Sequence, residues 1–111
     1  MSKHYLIDYE SVRYFKDLVE NNDESKQYLF YTDNCSNIII DIVSEFKNME
    51  FIKRKDSLDM CLSSYVGFLI GNNFDEEFII VSKEYGYDDL IDFWSKRGVK
   101  ISKIFPKPKQ V

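Results

Sequence analysis

The sequence is poor in the residues that build disulfide frameworks, zinc sites and chain breaks. Its two cysteines, Cys35 and Cys61, lack C-x-x-C spacing and have no histidine beside them, so neither a disulfide framework nor a zinc site is indicated. The one histidine, His4, starts a strand-like run, where a structural or a solvated role is expected. There are four glycines and two prolines, with both prolines in the last six residues, so the body of the chain has few breaks.

Long apolar runs and an excess of positive charge are also missing. The longest apolar run is far shorter than a membrane span, and the first residues have no signal-peptide pattern. We therefore expect a cytoplasmic protein with no membrane role. The formal charge of −4 argues against a protein that holds nucleic acid by bulk electrostatics alone. It does not exclude one that binds nucleic acid with the help of cations.

What the sequence does contain is a regular alternation of apolar segments. With 111 residues, 44% of them hydrophobic and 16% aromatic, the chain suits one globular domain over residues 1–105, followed by a basic tail, residues 106–111. Helical periodicity separates short strand-like runs, which predicts a βαβαβαβαβ order and an α/β fold: a mainly parallel five-stranded sheet with helices on both faces. The predicted strands are 4–8, 28–31, 51–52, 78–81 and 99–105, and the predicted helices are 11–20, 36–46, 56–71 and 87–97.

Acidic residues follow these strands at positions that a parallel sheet brings to one edge. Asp8 ends the first strand, Glu84 follows the fourth, Asp59 lies in the first turn of the long helix, and Asp88 opens the last helix. Carboxylates that converge in this way repel one another unless cations neutralise them, and hard oxygen ligands suit Mg²⁺ or Mn²⁺. The pattern predicts a divalent-metal site. The alternative is that Asp88 caps its helix and Asp59 lies on a solvated helix face.

Three segments stand out in this order along the chain: YLIDYES at 5–11, KDSLDMCLSSYVGFLI at 55–70 and IIVSKEYGYDDLIDFW at 79–94. Together they resemble the PIN-like nuclease superfamily, particularly its NYN-like branch. The resemblance implies a three-layer α/β/α fold with strand order 3-2-1-4-5 and metal-dependent ribonuclease activity. It implies that Asp8, Asp59 and Glu84 are the catalytic acids, accompanied by Glu10.

This sequence departs from the superfamily pattern at three places. Gly86 stands where the turn after the fourth strand usually carries a second acid, and Asp88 is the candidate to replace that acid. Ser11 stands in place of an asparagine. Tyr65 lies near the position of a second helix acid found in many members.

If the site is intact, the acids hold one or two Mg²⁺ or Mn²⁺ ions, and a water attacks a phosphodiester in line. The predicted metal ligands are Asp8, Asp59, Glu84 and Asp88, and the predicted supporting residues are Glu10 and Ser82. The substrate that we predict is single-stranded RNA, because unpaired bases can stack on exposed aromatic rings. The predicted nucleic-acid contacts are Lys83, Tyr9 and Tyr85, with a second basic patch at Lys53, Arg54 and Lys55.

Two alternatives stay open at this point. The departures at Gly86, Tyr65 and Ser11 allow a catalytically degenerate PIN-like module that binds RNA or a protein partner, or acts as an inhibitor that presents carboxylates in place of phosphates. A receiver-like phosphorelay domain shares the parallel sheet, but it needs an aspartate at the end of the third strand, where this sequence has Phe51-Ile52-Lys53. By analogy with small nucleases, a homodimer is also open.

Overall fold

A computed structural model describes residues 2–33 and 45–106. Five strands, two α-helices and one short 3-10 helix follow one another in this part of the chain. The strands are β1 (Lys3–Asp8), β2 (Ser25–Tyr31), β3 (Met49–Lys53), β4 (Glu77–Val81) and β5 (Lys100–Ile104). The α-helices are α1 (Leu58–Asn72) and α2 (Tyr87–Ser95), and the 3-10 helix is Lys16–Leu18.

The five strands form one sheet in the order β3-β2-β1-β4-β5, and every pairing is parallel. The parallel sheet and the implied strand order 3-2-1-4-5 are therefore confirmed. β1 lies at the centre, hydrogen-bonded to β2 on one side and to β4 on the other. All carboxyl ends of the strands point to the same edge of the sheet, where open α/β sheets bind their ligands.

Each face of the sheet has its own apolar core. Because successive side chains of a strand point to opposite faces, Tyr5 and Ile7 enter one core and Leu6 enters the other. Both α1 and α2 pack on the Leu6 face, where Leu62 of α1 is fully buried. The segment that follows β1 covers part of the opposite face.

The helix predicted over residues 11–20 is wrong. The structure has an irregular segment there, with only the 3-10 helix Lys16–Leu18. The backbone N–H of Val12 donates to the carbonyl of Asp8 at 2.9 Å, and the chain then runs across the sheet face. Val12, Phe15 and Val19 are buried as their spacing indicated, but the backbone between them is irregular and not helical apart from that 3-10 turn.

The other helix predictions have mixed outcomes. α1 and α2 are present, with ends within two residues of those predicted. The helix predicted over 36–46 lies almost wholly outside the described residues, as does Cys35. Gly98 has a positive φ of 88°, which suits the turn that leads from α2 into β5.

His4 is a core residue at the amino edge of the sheet. Its ring stacks between Tyr28 and Phe78, its Nδ1 lies 3.0 Å from the Tyr28 hydroxyl, and its Nε2 contacts the carboxylate of Glu76. The expected structural role of this histidine is thus confirmed. Among the described residues, no helix is long and apolar enough to cross a membrane.

Candidate active site

A cleft opens at the carboxyl edge of the sheet, between the end of β1, the start of α1 and the segment that joins β4 to α2. Its volume is about 570 Å³. All three predicted catalytic acids, Asp8, Asp59 and Glu84, line it together. The full lining is Asp8, Glu10, Ser57, Leu58, Asp59, Ser63, Glu84, Gly86 and Tyr87.

Asp8 lies at the floor of the cleft and is only 4% exposed. As the last residue of the central strand, it is paired with β2 through Phe30, so its backbone has little freedom. Oδ2 accepts hydrogen bonds from the Ser82 hydroxyl at 3.2 Å and the Tyr87 hydroxyl at 3.4 Å, and Oδ1 accepts one from the Ser11 N–H at 3.3 Å. Burial raises the pKa of this carboxyl, and the three hydrogen bonds partly oppose that rise.

Asp59 and Glu84 are exposed acids that reach the cleft from two different elements. Asp59 lies in the first turn of α1, directly after a sharp entry in which Ser57 adopts a left-handed backbone with φ 54°. Glu84 follows β4 in a turn whose N–H groups are held: the Glu84 N–H donates to the Ser82 hydroxyl at 3.0 Å. The Lys83 N–H donates to the Ser11 hydroxyl at 2.7 Å. One acid is therefore placed by a helix start and the other by a turn.

Ser82 connects two of these acids and is completely buried. Its hydroxyl donates to Asp8 and accepts from the backbone of Glu84, so it sets the distance between the strand end and the turn. Ser82 is thus in contact with Asp8, as a supporting residue must be. Glu10, the other supporting residue of the prediction, is exposed and lines the cleft.

Tyr87 places a hydroxyl among the acids. It is the first residue of α2, it is 2% exposed, and its hydroxyl donates to Asp8. The pKa of this hydroxyl is raised, first by burial and then by the negative charges of Asp8, Asp59 and Glu84. Tyr87 and the three acids all line the same cleft.

The cleft is strongly negative and carries no internal counter-charge in the described part of the chain. No ion pair there involves Asp8, Glu10, Asp59 or Glu84. Within residues 2–33 and 45–106, no three His, Cys, Asp or Glu side chains stand close enough together to hold a metal ion by themselves. The oxygen donors have the right chemistry for Mg²⁺ or Mn²⁺, and Mg²⁺ is usually bound through one or two carboxylates with several waters.

Asp88 pairs with a lysine of β5 outside the cleft. Its Oδ1 lies 2.6 Å from the ammonium of Lys103, and Asp88 is not among the residues that line the cleft. No side-chain capping hydrogen bond is made at the start of α2. In this structure Asp88 forms an ion pair with β5 and makes no capping hydrogen bond, and its role as a metal ligand stays a prediction.

The predicted nucleic-acid contacts differ in how accessible they are. Lys83 is exposed, and Tyr85 is 85% exposed beside the cleft segment. Tyr9 is 2% exposed and lies under the guanidinium of Arg13, so its ring cannot stack on a base in this structure.

The second basic patch is only partly free of acidic partners. Arg54 and Lys55 are exposed, but Lys53 pairs with Asp33 at 2.7 Å. This pair leaves Arg54 and Lys55 as the cations of that patch that can meet a phosphate.

Two residues of this region were missed from the sequence. Tyr87 begins the helix predicted over residues 87–97, and the signal that could have found it is that a buried tyrosine needs a partner for its hydroxyl. Lys103 lies within the strand predicted over residues 99–105. The signal for Lys103 is its place near the carboxyl end of β5, which in a parallel sheet lies at the same edge as Glu84.

Comparison with known proteins agrees with this geometry. A family model described as PIN domain matches residues 2–104, a range that contains every described strand. Searches among curated proteins and among solved structures found no significant match. PIN domains are nuclease-like proteins that generally depend on divalent metals. The match covers nearly the whole chain, and the chain belongs to the PIN domain family.

Proposed function

We propose that this protein is a metal-dependent endoribonuclease that cuts single-stranded RNA at the cleft between β1, α1 and the β4–α2 segment. The observation that carries the proposal is that Asp8, Asp59 and Glu84, from three different elements, line one cleft at the carboxyl edge of the sheet. Such convergence is unfavourable without a cation. A role in stabilising the fold alone does not explain why three carboxylates line one cleft.

The donor chemistry of the cleft fits a divalent cation. Asp8, Asp59 and Glu84 would hold it together with bridging waters, because no three acids in the described ranges stand close enough to hold it by themselves and because carboxylates are the hard ligands that Mg²⁺ and Mn²⁺ prefer. When bound, such a cation supplies an activated water and offsets the charge of the phosphodiester.

The chain's own residues have distinct roles in the proposed reaction. Ser82 and Tyr87 orient the Asp8 carboxylate, since both hydroxyls donate to its Oδ2. Ionisation of Asp8 is needed for it to act as a ligand, and those donors favour the ionised form against the effect of burial. Glu84, held through Ser82, faces Asp8 from the neighbouring strand end.

Unpaired RNA suits the surface beside the cleft. Tyr85 exposes nearly its whole ring, which is what a stacking contact with an unpaired base requires. Lys83 lies next to it, and Arg54 and Lys55 follow β3 along the same edge of the sheet. A few cations placed beside an acidic cleft can guide phosphates although the whole chain is acidic.

A second candidate is a binding module without catalysis. It is favoured by Gly86, which supplies no acid, and by Asp88, whose carboxylate is paired with Lys103. In that case the cleft binds RNA or a protein partner and leaves the RNA intact.

The test is cleavage of a labelled single-stranded RNA with Mn²⁺, Mg²⁺ or EDTA, with duplex RNA and single-stranded DNA run in parallel. Asp8→Asn is compared with Asp75→Asn, an exposed acid that precedes β4 at the opposite edge of the sheet and loses the same charge. We expect metal-dependent cleavage by the wild type and by Asp75→Asn, and loss of at least about 100-fold in Asp8→Asn.

Binding of Mn²⁺, followed by its electron paramagnetic resonance signal, separates the candidates. RNA binding without cleavage favours the binding module. A wild type that neither cleaves RNA nor binds Mn²⁺ refutes the nuclease proposal, and so does an Asp8→Asn variant that cleaves as fast as the wild type.

A further inference from the structure

Lys103 lies at the edge of the candidate site and is unusually enclosed for a lysine. It is on β5, opposite Ile80 of β4, and its side chain is only 11% exposed. An ammonium group that has lost most of its water needs other hydrogen-bond partners. The partners of Lys103 show what it does.

The ammonium of Lys103 contacts the segment from Glu84 to Asp88. The ammonium donates to the carbonyl oxygen of Glu84 at 2.9 Å and pairs with the carboxylate of Asp88 at 2.6 Å. It also lies 5.3 Å from the centre of the Tyr85 ring. The Lys103 side chain thus contacts three of the five residues from Glu84 to Asp88.

The rest of the turn is held at its two ends. At the start, the N–H groups of Lys83 and Glu84 donate to the hydroxyls of Ser11 and Ser82. At the far end, Tyr87 buries its ring in the core. The Glu84 carbonyl lies between these points. Its hydrogen bond to Lys103 fixes the orientation of the peptide group that follows Glu84, and this limits the directions that the Glu84 side chain can take.

We propose that Lys103 is a positioning residue for the nuclease site: it fixes the turn so that Glu84 faces Asp8 and Asp59, and it pairs with Asp88 so that this acid stays outside the cleft. The inference deepens the proposed function and rests on it for its catalytic consequence. Its structural consequence, an ordered turn, can be measured without metal or RNA.

The test compares Lys103→Met and Lys103→Arg with Lys96→Met in the full chain. Methionine keeps the unbranched stem and removes the charge, whereas arginine keeps a cation that can donate both to the Glu84 carbonyl and to Asp88. Lys96 is the matched control, because it also pairs with an aspartate, Asp92 at 3.0 Å, but on the exposed surface of α2.

We expect Lys103→Met to lower kcat for RNA cleavage by about 100-fold with little change in KM, since small displacements of a ligand are costly to the reaction. Its affinity for Mn²⁺ should fall by about 10- to 100-fold. Lys103→Arg should recover most of both, and Lys96→Met should match the wild type.

Hydrogen exchange of the amides of residues 83–88, without metal and RNA, is the second measurement. Exchange in this turn should be faster in Lys103→Met than in the wild type, while β1 and β4 stay protected. Asp88→Asn keeps the assay decisive if Lys103→Met does not fold, because this half-exposed site tolerates an amide. Asp88→Asn should speed exchange in the same turn, and it should lower Mn²⁺ affinity less than Lys103→Met does, because Lys103 can still donate to the Glu84 carbonyl.

The outcomes separate this inference from the proposed function. If the wild type neither cleaves RNA nor binds Mn²⁺, the nuclease proposal fails, and exchange in residues 83–88 alone decides the role of Lys103. Unchanged exchange in Lys103→Met overturns the inference, and if Lys103→Met does not fold, unchanged exchange in Asp88→Asn overturns it. It is also overturned if the wild type cleaves and Lys103→Met cleaves equally well, or if Lys103→Arg is as impaired as Lys103→Met.

Discussion

Replacing Asp8 with asparagine should stabilise the protein at neutral pH while it removes the proposed activity. Asp8 is 4% exposed and has no cation beside it among the described residues. Its three hydrogen bonds, at 3.2 to 3.4 Å, are longer than the 2.7 to 2.9 Å typical of good charge-assisted bonds. They therefore compensate only part of the loss of hydration.

The asparagine side chain has nearly the same shape and can keep this pattern. Its oxygen can accept from the Ser11 N–H, and its amide can donate to the hydroxyls of Ser82 and Tyr87, which then act as acceptors. The main change is removal of a buried negative charge. Substitutions that relieve such functional strain commonly add about 0.5 to 2 kcal/mol, so we expect about 1 kcal/mol, or roughly 4 °C in Tm for a chain of this size.

The gain should depend on pH in a direction that the structure fixes. Burial raises the pKa of Asp8 above its ordinary value of 3.8, so the folded state binds the proton more tightly than the unfolded state. For the wild type, this contribution to stability is complete below pH 3.8 and is lost as the pH rises through the folded-state pKa. The advantage of Asp8→Asn should therefore be absent near pH 3.5 and grow above it.

Thermal unfolding from pH 3.5 to 8, followed by circular dichroism, measures this effect. Asp59→Asn is the control, because it removes the same charge from the same cleft at an exposed position. It should change stability by less than about 0.5 kcal/mol. An Asp8→Asn variant that is less stable than the wild type at pH 7, or equally shifted at every pH, would refute the reasoning.

Other substitutions follow from the same structure. Gly67→Ala should stabilise by about 1 kcal/mol in urea unfolding, because its Cβ meets only Trp94 at 3.9 Å and a helix interior favours alanine; a loss would contradict this. Gly98→Ala should instead cost about 1 to 2 kcal/mol in the same assay, because φ there is +88°, and an unchanged midpoint would count against that strain. Tyr87→Phe removes a donor that favours ionised Asp8, so the acid limb of a pH–rate profile should move to higher pH; a shift to lower pH would contradict this.

The sheet was predictable from the sequence because its strands are short, continuous apolar runs. Buried parallel strands need such runs, and residues 28–31 and 78–81 lie inside β2 and β4 as observed. The strand order came from the resemblance, since apolar runs alone do not tell which strands are neighbours.

The segment after β1 was mispredicted because spacing reports burial and not backbone conformation. Val12, Phe15 and Val19 recur at helical intervals and are all buried, yet the chain between them is irregular. The turn at Asp8, where the carbonyl accepts from the N–H groups of Ser11 and Val12, sends the chain across the sheet face. Nothing in a hydrophobic pattern encodes such a local turn.

The candidate site was predictable at strand ends and less so where side chains pair across elements. Asp8, Asp59 and Glu84 meet in one cleft because the topology brings their elements to one edge. The ion pair between Asp88 and Lys103 depends on the register of β4 with β5, which the sequence does not reveal.

The central position of β1 also has a consequence for synthesis of the chain. Asp8 is made early, but β4, which flanks β1 and leads to Glu84, is made much later. Domains form as the chain emerges from the amino end, and contacts between distant segments form last. The three acids can therefore come together only after most of the chain has been made. Under the proposed function, a growing chain is therefore expected not to cleave RNA until β4 has paired with β1.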